Sequence, residues 1–402
     1  AIKLASRIKG LSNRMKNYRG KLTGMKRLNL VNERKKSEQE LQSFIQNDVD
    51  RNKQYGTVLQ QIEALYEERG AQESRDLLLS NFISSSTLLR NATTIFNAAE
   101  NRVKPDIERE SSYMARNIEK TKRSTYLSEK SYYPQAEKEI LKNLLNEIDK
   151  LPANQRFEPI DTFILKKGVY AFLDQLFSKS QFSDSKFLGE AFDMDMEKLK
   201  TLSDPALTLV MALDPLRKDK EKRDDQHSGA LNKLHAQLID IKKEFYSNKF
   251  IPDANSTFRL TYGYIRGYHP KDAVYNSPIT TFRGVVEKTN GKAPFITPPA
   301  LLDLYKQKNF GQFFNPVLKD VPVALLYNTD TTGGNSGSPL LNSKGQLVGV
   351  NFDRAWEATI NDFAWSEDYS RSIAVDIRYV LWVTQKFSGA DYLLTEMNIP
   401  LE

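Results

Sequence analysis

The sequence contains no cysteine among its 402 residues. This absence excludes disulfide bonds, thiolate nucleophiles and thiolate metal sites. Histidine is scarce as well, with three residues, His227, His235 and His269, that are too few and too scattered to predict a metal centre. We interpret these histidines as structural or surface residues, and we expect neither a metal nor a cofactor.

Long apolar runs are also missing. No stretch approaches the ~20 residues that a membrane helix needs, so membrane insertion is not expected. The net charge is +7, but Lys and Arg alternate with Asp and Glu in segments such as "NERKKSEQE". Such alternation is typical of solvated helix faces. Since zinc-finger, RNA-recognition and Walker-type motifs are absent too, nucleic acid is not an expected partner.

The chain opens with "AIKLASRIKG". It has no initiator Met and lacks the basic start, apolar middle and small-residue cleavage site of a signal peptide. Because the opening residues already have a helical pattern, we expect a fragment of a longer chain.

Residues 1–247 have the periodicity of helices. Segments such as "TVLQQIEALYEE" and "LNKLHAQLIDIKKEF" place apolar side chains at helical spacing. Ser203-Asp204-Pro205 predicts a capped helix start with proline at the first position. We predict an elongated all-helical domain with breaks near Gly70, Pro105, Pro134 and Pro159.

Residues 248–402 have the character of strands. "STFRLTYGYIRGYHP" is rich in β-forming residues with glycine breaks, and "PVALLYNTD" is a short apolar strand. "SPLLNSKGQLVGVNF" predicts a hairpin around Asn-Ser-Lys-Gly. "IRYVLWVTQKF" predicts a terminal helix. The second domain is therefore expected to be an antiparallel β-barrel or sandwich with a C-terminal helix.

One serine in this domain, Ser336, stands between glycines in "TTGGNSGSPLL". A serine hydroxyl acts as a nucleophile only with a base to take its proton and donors to hold the oxyanion. The flanking glycines allow a sharp turn in which the amides of Gly334 and Ser336 point at one site. The spacing Gly-x-Ser-Gly differs from the nucleophile elbow of α/β-hydrolases. The alternative is an ordinary loop between two strands.

The strand that follows, "QLVGVNFDR", carries an arginine at its end. A period of two places Val348, Val350, Phe352 and Arg354 on one face and Asp353 on the other. An arginine on an apolar face needs an anion. That anion is either a structural carboxylate or the acidic side chain of a substrate; the other alternative is an arginine that ends the strand at the surface. Asp353, facing the other way, could bind a cation such as the free α-amine of a peptide.

The segment "TTGGNSGSPLLNSKGQLVGV" resembles the nucleophile segment of chymotrypsin-fold serine peptidases. Together with "NFDRAWE", "SNRMKNYRG" and "TFRLTYGYIRGYHPKDAV", it makes the chain similar to the bacterial dipeptidyl-peptidase 7/11 family of serine peptidases, closest to the Asp/Glu-specific dipeptidyl-peptidase 11 branch. The resemblance implies a chymotrypsin-like double barrel with an inserted helical domain. It also implies that the first barrel, with the catalytic histidine and aspartate, is largely missing from this chain.

The resemblance implies a role for several residues. Ser336 is the nucleophile, and the backbone amides of Gly334 and Ser336 form the oxyanion hole. Arg354 at its position goes with Asp or Glu as the second residue of the substrate. The remaining residues implied to bind substrate are Asp353, which takes the free amino terminus, Asn13 or Asn17, which assists it, and Phe352, which lines the pocket.

The same resemblance implies a homodimer in the periplasm or at the cell surface, acting on peptides with a free N-terminus. Activity is expected to be complete only with the missing part. Two other functions stay open on the sequence alone. One is a glutamyl-type serine endopeptidase, which shares the serine motif. The other is a non-catalytic helical scaffold with a degenerate protease fold.

Overall fold

The computed structural model of the chain describes residues 2–247, 249 and 257–401. These residues fall into two compact units. The helical unit takes its residues from the ranges Ala1–Ser6 and Glu38–Ile251, and the β unit takes its residues from Arg7–Ser37 and Pro252–Glu402. The domain limits 1–247 and 248–402 stay a prediction. The β unit contains most of the first helix, and this helix matters for the site.

Helices make up the described residues before 248. Their bounds are α1 (Ile2–Arg27), α2 (Leu30–Gln46), α3 (Val49–Tyr55), α4 (Val58–Ser85), α5 (Thr87–Arg102), α6 (Ile118–Tyr126), α7 (Pro134–Asp149), α8 (Glu158–Lys167), α9 (Val169–Lys179), α10 (Ser185–Phe192), α11 (Met196–Thr201) and α12 (Pro205–Phe245). The helical character predicted from the apolar spacing is confirmed.

Local sequence signals explain several of the helix starts. The Asp204 side chain accepts the amide N–H groups of Ala206 and Leu207, and Pro205 is the first residue of α12, as predicted. The break predicted at Gly70 is wrong, because α4 continues through it. Gly70 is exposed, and an interior glycine costs a helix only about 1 kcal/mol relative to alanine. Burial of Val58, Leu79 and Phe82 elsewhere on α4 outweighs that cost.

The helical unit has one main core. Its fully buried members lie on α4, α5, α7, α9, α10 and α12 and include Phe82, Leu88, Leu89, Ile95, Leu141, Leu173, Phe192 and Leu213. A smaller cluster joins Leu41, Ile45 and Ile241. Burial of apolar surface, at about 25 cal/mol per Å², is the main favourable term that stabilises this unit.

The β unit contains two antiparallel sheets. A two-stranded sheet pairs β1 (Tyr268–Lys271) with β2 (Val274–Asn276). A five-stranded sheet has the order β3-β4-β7-β6-β5, with β3 (Ile279–Thr281), β4 (Pro322–Tyr327), β5 (Pro339–Leu341), β6 (Leu347–Arg354) and β7 (Ser372–Asp376). The strand predicted in "PVALLYNTD" is confirmed as β4. The hairpin predicted in "SPLLNSKGQLVGVNF" is confirmed as the antiparallel pair of β5 and β6. Within the described residues the five-stranded sheet is open and does not close into a barrel.

Helices of the β unit share a hydrophobic core of their own. They are α13 (Phe282–Lys288), α14 (Pro299–Lys306), α15 (Ile377–Trp382) and α16 (Asp391–Glu396), and α15 is the predicted terminal helix. Their core joins Phe282, Leu301, Phe310, Phe313, Val321, Leu381, Trp382 and Leu394. A 3-10 helix, Trp356–Asp362, follows β6 directly.

The strands expected in "STFRLTYGYIRGYHP" form only in part. Tyr268–Lys271 is a strand, and Ile265 makes an isolated bridge with Tyr327. Residues 257–264 are not in a strand. Phe258 and Tyr262 are 92% and 90% exposed, so this segment has β-forming side chains but no neighbouring strand against which to bury them.

Candidate active site

Ser336 lies in an exposed turn between β4 and β5. The turn has Gly334 at φ +107° and Gly337 at φ +88°. Both values lie in a region that residues with a Cβ rarely adopt. The glycines on either side of the serine are therefore required by the backbone of the turn, as the sequence pattern predicts.

The turn is anchored from below by Asn351 on β6, a residue that is 6% exposed. The Gly337 amide donates to the carbonyl of Asn351 at 2.7 Å, and the Asn351 amide donates to the carbonyl of Ser338 at 2.9 Å. The Asn351 side chain donates to the carbonyl of Asn335 at 3.0 Å. Asn351 therefore fixes the backbone on both sides of Ser336.

Tyr327 on β4 completes this anchor. Its hydroxyl donates to Oδ1 of Asn351 at 2.5 Å, and burial raises the pKa of Tyr327 to about 12. Neither residue was predicted from the sequence. A polar asparagine inside the otherwise apolar "LVGVNF" strand was the available signal, because a buried amide requires hydrogen-bond partners.

The backbone amides around Ser336 divide into two sets. Those of Asn335 and Ser338 donate to the carbonyls of Thr332 and Asn335 at 3.3 and 3.1 Å. Among the described residues, the amides of Gly334 and Ser336 have no protein acceptor. These are the two amides that the sequence analysis assigned to an oxyanion hole, and both stay available to a ligand oxygen.

The hydroxyl of Ser336 donates to the carbonyl oxygen of Phe352, a long contact of 3.5 Å. No histidine of the described chain contacts Ser336. His227 Nε2 lies 3.1 Å from the carbonyl of Leu65, and His269 Nδ1 lies 3.1 Å from the carbonyl of Val274. Both contacts fit the structural interpretation of these histidines.

Phe352 is the site of a β-bulge. On β7, Ala374 pairs with Asn351 and Ile373 pairs with Asp353, so Phe352 is one residue too many for the ladder. Bulges of this kind redirect the side chains that follow them and are frequent beside active sites. The Phe352 side chain is 52% exposed.

The bulge corrects one prediction. Arg354 was expected on the same face as Val348, Val350 and Phe352. Because of the extra residue, the alternation shifts by one, and Arg354 pairs opposite Ser372, on the face of the buried Asn351. Asp353 and Arg354 still have successive partners on β7, so their side chains leave the sheet on opposite faces, as expected.

Arg354 forms an ion pair. Its Nη1 lies 2.8 Å from Oδ1 of Asp362, at the end of the 3-10 helix, and its side chain is 14% exposed. Nζ of Lys21 on α1 lies 2.7 Å from the other carboxylate oxygen of Asp362. Arg354 and then Lys21 lower the pKa of Asp362. The structural carboxylate that the sequence left open as an alternative is therefore present.

Asp353 is exposed. Its Oδ1 accepts the backbone N–H of Arg354 at 2.8 Å. Among the described contacts Asp353 has no cationic side-chain partner. Its carboxylate therefore stays accessible to a positively charged ligand. Asp353 directly precedes Arg354 in the sequence.

Helix α1 contributes Asn13 and Asn17 to this region. Gly20 and Gly24 are buried against the 3-10 helix, where an added Cβ would lie 2.2 Å from Thr359 Oγ1 and 2.6 Å from Ile360 Cβ. Asn13 and Asn17 precede them at spacings of seven, so all four residues lie along one helix face. Asn13 is exposed and Asn17 is half-buried. No described hydrogen bond joins either asparagine to Asp353.

Two cavities lie elsewhere in the β unit. One, of about 620 Å³, is lined by residues that include Tyr268, His269 and Arg371. The other, of about 410 Å³, includes Tyr275 and Ala355. Neither is lined by Ser336 or Arg354. The interpretation of the serine therefore rests on its local geometry and not on a preformed cavity.

Comparison with known proteins identifies the family to which this chain is similar. A family model described as peptidase S46 matches residues 1–399. An Asp/Glu-specific dipeptidyl-peptidase of Shewanella putrefaciens is 30% identical over 427 residues, which cover 99% of this chain and 58% of the relative. A dipeptidyl-peptidase 7 of Porphyromonas gingivalis is 30% identical over 409 residues, which cover 99% of this chain and 55% of the relative. The chain thus spans about half the length of these relatives.

Solved structures agree. The crystal structure of Porphyromonas endodontalis DPP11 in complex with the dipeptide Arg-Glu superposes with a TM-score of 0.76 at 26% identity, covering 96% of this chain and 55% of that one. Its combination of helices and antiparallel sheets matches the two units described here. None of the described helices is both long enough and apolar enough to cross a membrane.

Proposed function

This chain belongs to the peptidase S46 family, and from that premise we propose that the complete protein is a serine exopeptidase that releases N-terminal dipeptides with Asp or Glu as the second residue. One observation carries the proposal. The hydroxyl of Ser336 faces the bulge at Phe352, and Arg354, a cation, stands two residues further along the same strand. The reacting group and a selector for acidic side chains thereby share one short segment.

Acyl transfer follows from the serine turn. Ser336 Oγ attacks the carbonyl carbon of the second peptide bond and forms a C–O bond while its proton passes to a base. The Gly334 and Ser336 amides hold the oxyanion, a contribution that is usually worth several kcal/mol in such enzymes. The peptide nitrogen leaves with a proton, and water then hydrolyses the dipeptidyl ester and restores the serine.

Among the described residues, none near Ser336 provides the base that this mechanism needs. The proposal therefore concerns the complete protein, with a histidine and an aspartate in the roles that the family resemblance gives them. In the present chain, Ser336 is one member of that triad. A chymotrypsin-like double barrel would bring the three together, and the five-stranded sheet of the β unit would be its serine-bearing half.

The dipeptide length is set by the amino-terminal end of the substrate. Asp353 is exposed and has no cationic side-chain partner among the described contacts, which suits a free α-amine. Asn13 and Asn17 are both candidates for a second contact. Asn17 lies one helical turn, about 6 Å, from Lys21, and Asn13 lies two turns away. A peptide placed for cleavage after its third or a later residue would have its charged amine beyond Asp353 and would be bound poorly.

The acidic preference is assigned to Arg354. Family membership does not decide it, because relatives of similar identity include proteins named dipeptidyl-peptidase 7 as well as Asp/Glu-specific ones. An arginine that is 14% exposed provides a guanidinium matched in shape to a carboxylate. Phe352, half-exposed beside it, would cover the aliphatic part of a Glu side chain.

We also propose an oligomeric state and a cellular location for the enzyme. We expect a homodimer in the periplasm or at the cell surface, as the family resemblance implies. Sedimentation of the complete protein and fractionation of its native cells would test these two expectations separately from the activity.

Peptide hydrolysis tests the function directly. The protein made from its complete gene is incubated with a hexapeptide that has Glu second, and the products are identified by mass spectrometry. Release of an N-terminal dipeptide from the free peptide, and none from its N-acetylated form, is expected. Internal cleavage of the acetylated peptide would indicate an endopeptidase, and no cleavage of either peptide would indicate a non-catalytic scaffold.

A further inference from the structure

Three side chains form a single charged cluster at the end of the 3-10 helix. Asp362 uses both of its oxygens, one on Arg354 at 2.8 Å and the other on Lys21 at 2.7 Å. All three side chains are mostly buried, with 14%, 21% and 29% exposure for Arg354, Lys21 and Asp362. The cluster therefore responds to a substrate as one unit and not as three separate charges.

The charge of this unit depends on Lys21. Arg354 and Asp362 alone form a neutral pair, and an incoming carboxylate would meet attraction from one and repulsion from the other at a similar distance. With Lys21 the formal charge is two cations minus one anion, or +1. That surplus favours an acidic side chain, since a nearby excess of positive charge stabilises a carboxylate in a partly buried site.

Contacts of α1 and α2 with the end of the 3-10 helix hold Lys21 in place. Its neighbour Gly20 packs directly against Thr359, which brings the backbone of α1 close to the 3-10 helix. Nζ of Lys21 also lies 5.3 Å from the centre of the Phe363 ring. Nη2 of Arg34 donates to the carbonyl of Phe363 at 2.6 Å. These contacts fix the ammonium beside Asp362.

The other basic residues of α1 add to the positive electrostatic potential near this cluster. The sequence of α1 contains nine Lys or Arg residues and no Asp or Glu. Such a one-signed segment raises the local potential and draws anionic peptides toward it, although salt screens its exposed charges. Lys21 differs from the exposed basic residues of α1 because its ammonium contacts a member of the pocket.

We propose that Lys21 is a second specificity-determining residue, which supplies the net positive charge that lets the Arg354–Asp362 pair accept an acidic side chain. This inference rests on the proposed dipeptidyl-peptidase function and adds a residue to it. Asp362 acts here as a positioning residue that holds the guanidinium and the ammonium on either side of one carboxylate. An acidic substrate side chain would then bind across the two cations.

The test compares charge variants of α1 in the complete protein. Lys21→Gln is expected to lower kcat/KM for a Glu-ended dipeptide substrate by about tenfold, mainly through KM, and to leave a Leu-ended substrate unchanged or improved. Lys16→Gln removes the same charge from an exposed position of the same helix and should change both values far less, because salt screens an exposed charge. Lys21→Arg keeps the charge and should keep the wild-type preference for Glu.

Two results would overturn the inference. One is a Lys21→Gln enzyme that folds and keeps the wild-type ratio of Glu to Leu turnover. The other is an equal loss on both substrates, which would mean that Lys21 only supports the structure. Should Lys21→Gln not fold, a Lys21→Arg enzyme without acidic preference would contradict the role of the charge. A wild-type enzyme without acidic preference would instead refute the proposed function itself.

Discussion

The hydroxyl of Ser336 lies 3.5 Å from the carbonyl oxygen of Phe352, the residue at which β6 and β7 shift register. The same bulge turns Arg354 to the face from which it reaches Asp362. A single irregularity in one strand therefore relates the proposed nucleophile to the proposed selector of the substrate. A regular strand would have sent the arginine to the opposite face.

Ser336→Ala should abolish dipeptide release by the complete protein. Removal of a triad nucleophile typically costs a factor of about 10⁴ or more in kcat. Ser338→Ala is the matched control, because the contact of Ser338 with Asn351 uses its backbone carbonyl and survives the change. Turnover by Ser336→Ala within tenfold of wild type would exclude Ser336 as the nucleophile.

Gly20→Ala should impair the site through its packing. The new Cβ would lie 2.2 Å from Thr359 Oγ1, so Thr359 must turn away from the carbonyl of Trp356 or α1 must move from the 3-10 helix, at a cost of about 1–3 kcal/mol in the free energy of unfolding. Acidic-substrate activity should fall with it. Gly10→Ala, where a Cβ meets nothing within 4 Å, should stabilise the same helix by about 0.5–1 kcal/mol.

Equal effects of the two alanines on urea unfolding would contradict this account of α1. The comparison is internal to one helix, so differences in expression or in helix propensity do not explain a divergence. A Gly20→Ala protein as stable as Gly10→Ala would mean that α1 does not pack closely on the 3-10 helix.

Asn17→Ala should raise KM for peptides with a free amine by about tenfold, the size expected for one hydrogen bond to a charged group. Asn13→Ala should have a smaller effect, because Asn13 lies one helical turn further from Gly20 and Gly24, where α1 packs on the 3-10 helix. Steady-state kinetics on one dipeptide substrate measures both. A larger KM effect for Asn13→Ala would reverse the assignment, and unchanged KM in both would remove α1 from amine binding.

Tyr327 gives the protein a sensitivity to alkali. Burial raises its pKa to about 12, above the value of about 10 for an exposed tyrosine. The unfolded chain therefore loses this proton first as the pH rises. The contribution to stability is complete below about pH 10 and is lost as the pH approaches about 12.

Tyr327→Phe should flatten that part of the pH profile. Unfolding free energies measured by urea titration between about pH 9 and about pH 12 would show a smaller decline in the variant than in the wild type. A residual slope is expected, because burial also raises the pKa of Tyr268 and Tyr113 to about 12. Superimposable profiles would show that Tyr327 ionises without consequence for the fold.

Much of the local structure could be predicted from short-range patterns. The cap at Asp204 and the hairpin between β5 and β6 depend on neighbours within a few residues, and such rules act on sequence directly. The sharp turn around Ser336 was predictable for the same reason, since glycines on both sides of a serine indicate backbone angles that other residues rarely adopt.

What escaped prediction depends on partners far along the chain. The bulge at Phe352 changes no residue type, so a period of two assigned Arg354 to the wrong face. The contact between Lys21 and Asp362 joins residues more than three hundred positions apart. Asn351 and Tyr327 meet because their strands enter one sheet, through the intervening β7. Tertiary structure decides each of these.

The most direct test of the central claim measures kcat/KM of the complete protein on two fluorogenic dipeptide substrates, one ending in Glu and one in Leu, with and without Arg354→Gly. Wild type is expected to prefer the Glu-ended substrate by at least about a hundredfold, the scale of a charge-assisted pair in a partly buried site. Arg354→Gly should lose this preference and accept Leu. Equal turnover of both substrates by the wild type, or an Arg354→Gly variant that still prefers Glu, would contradict the account.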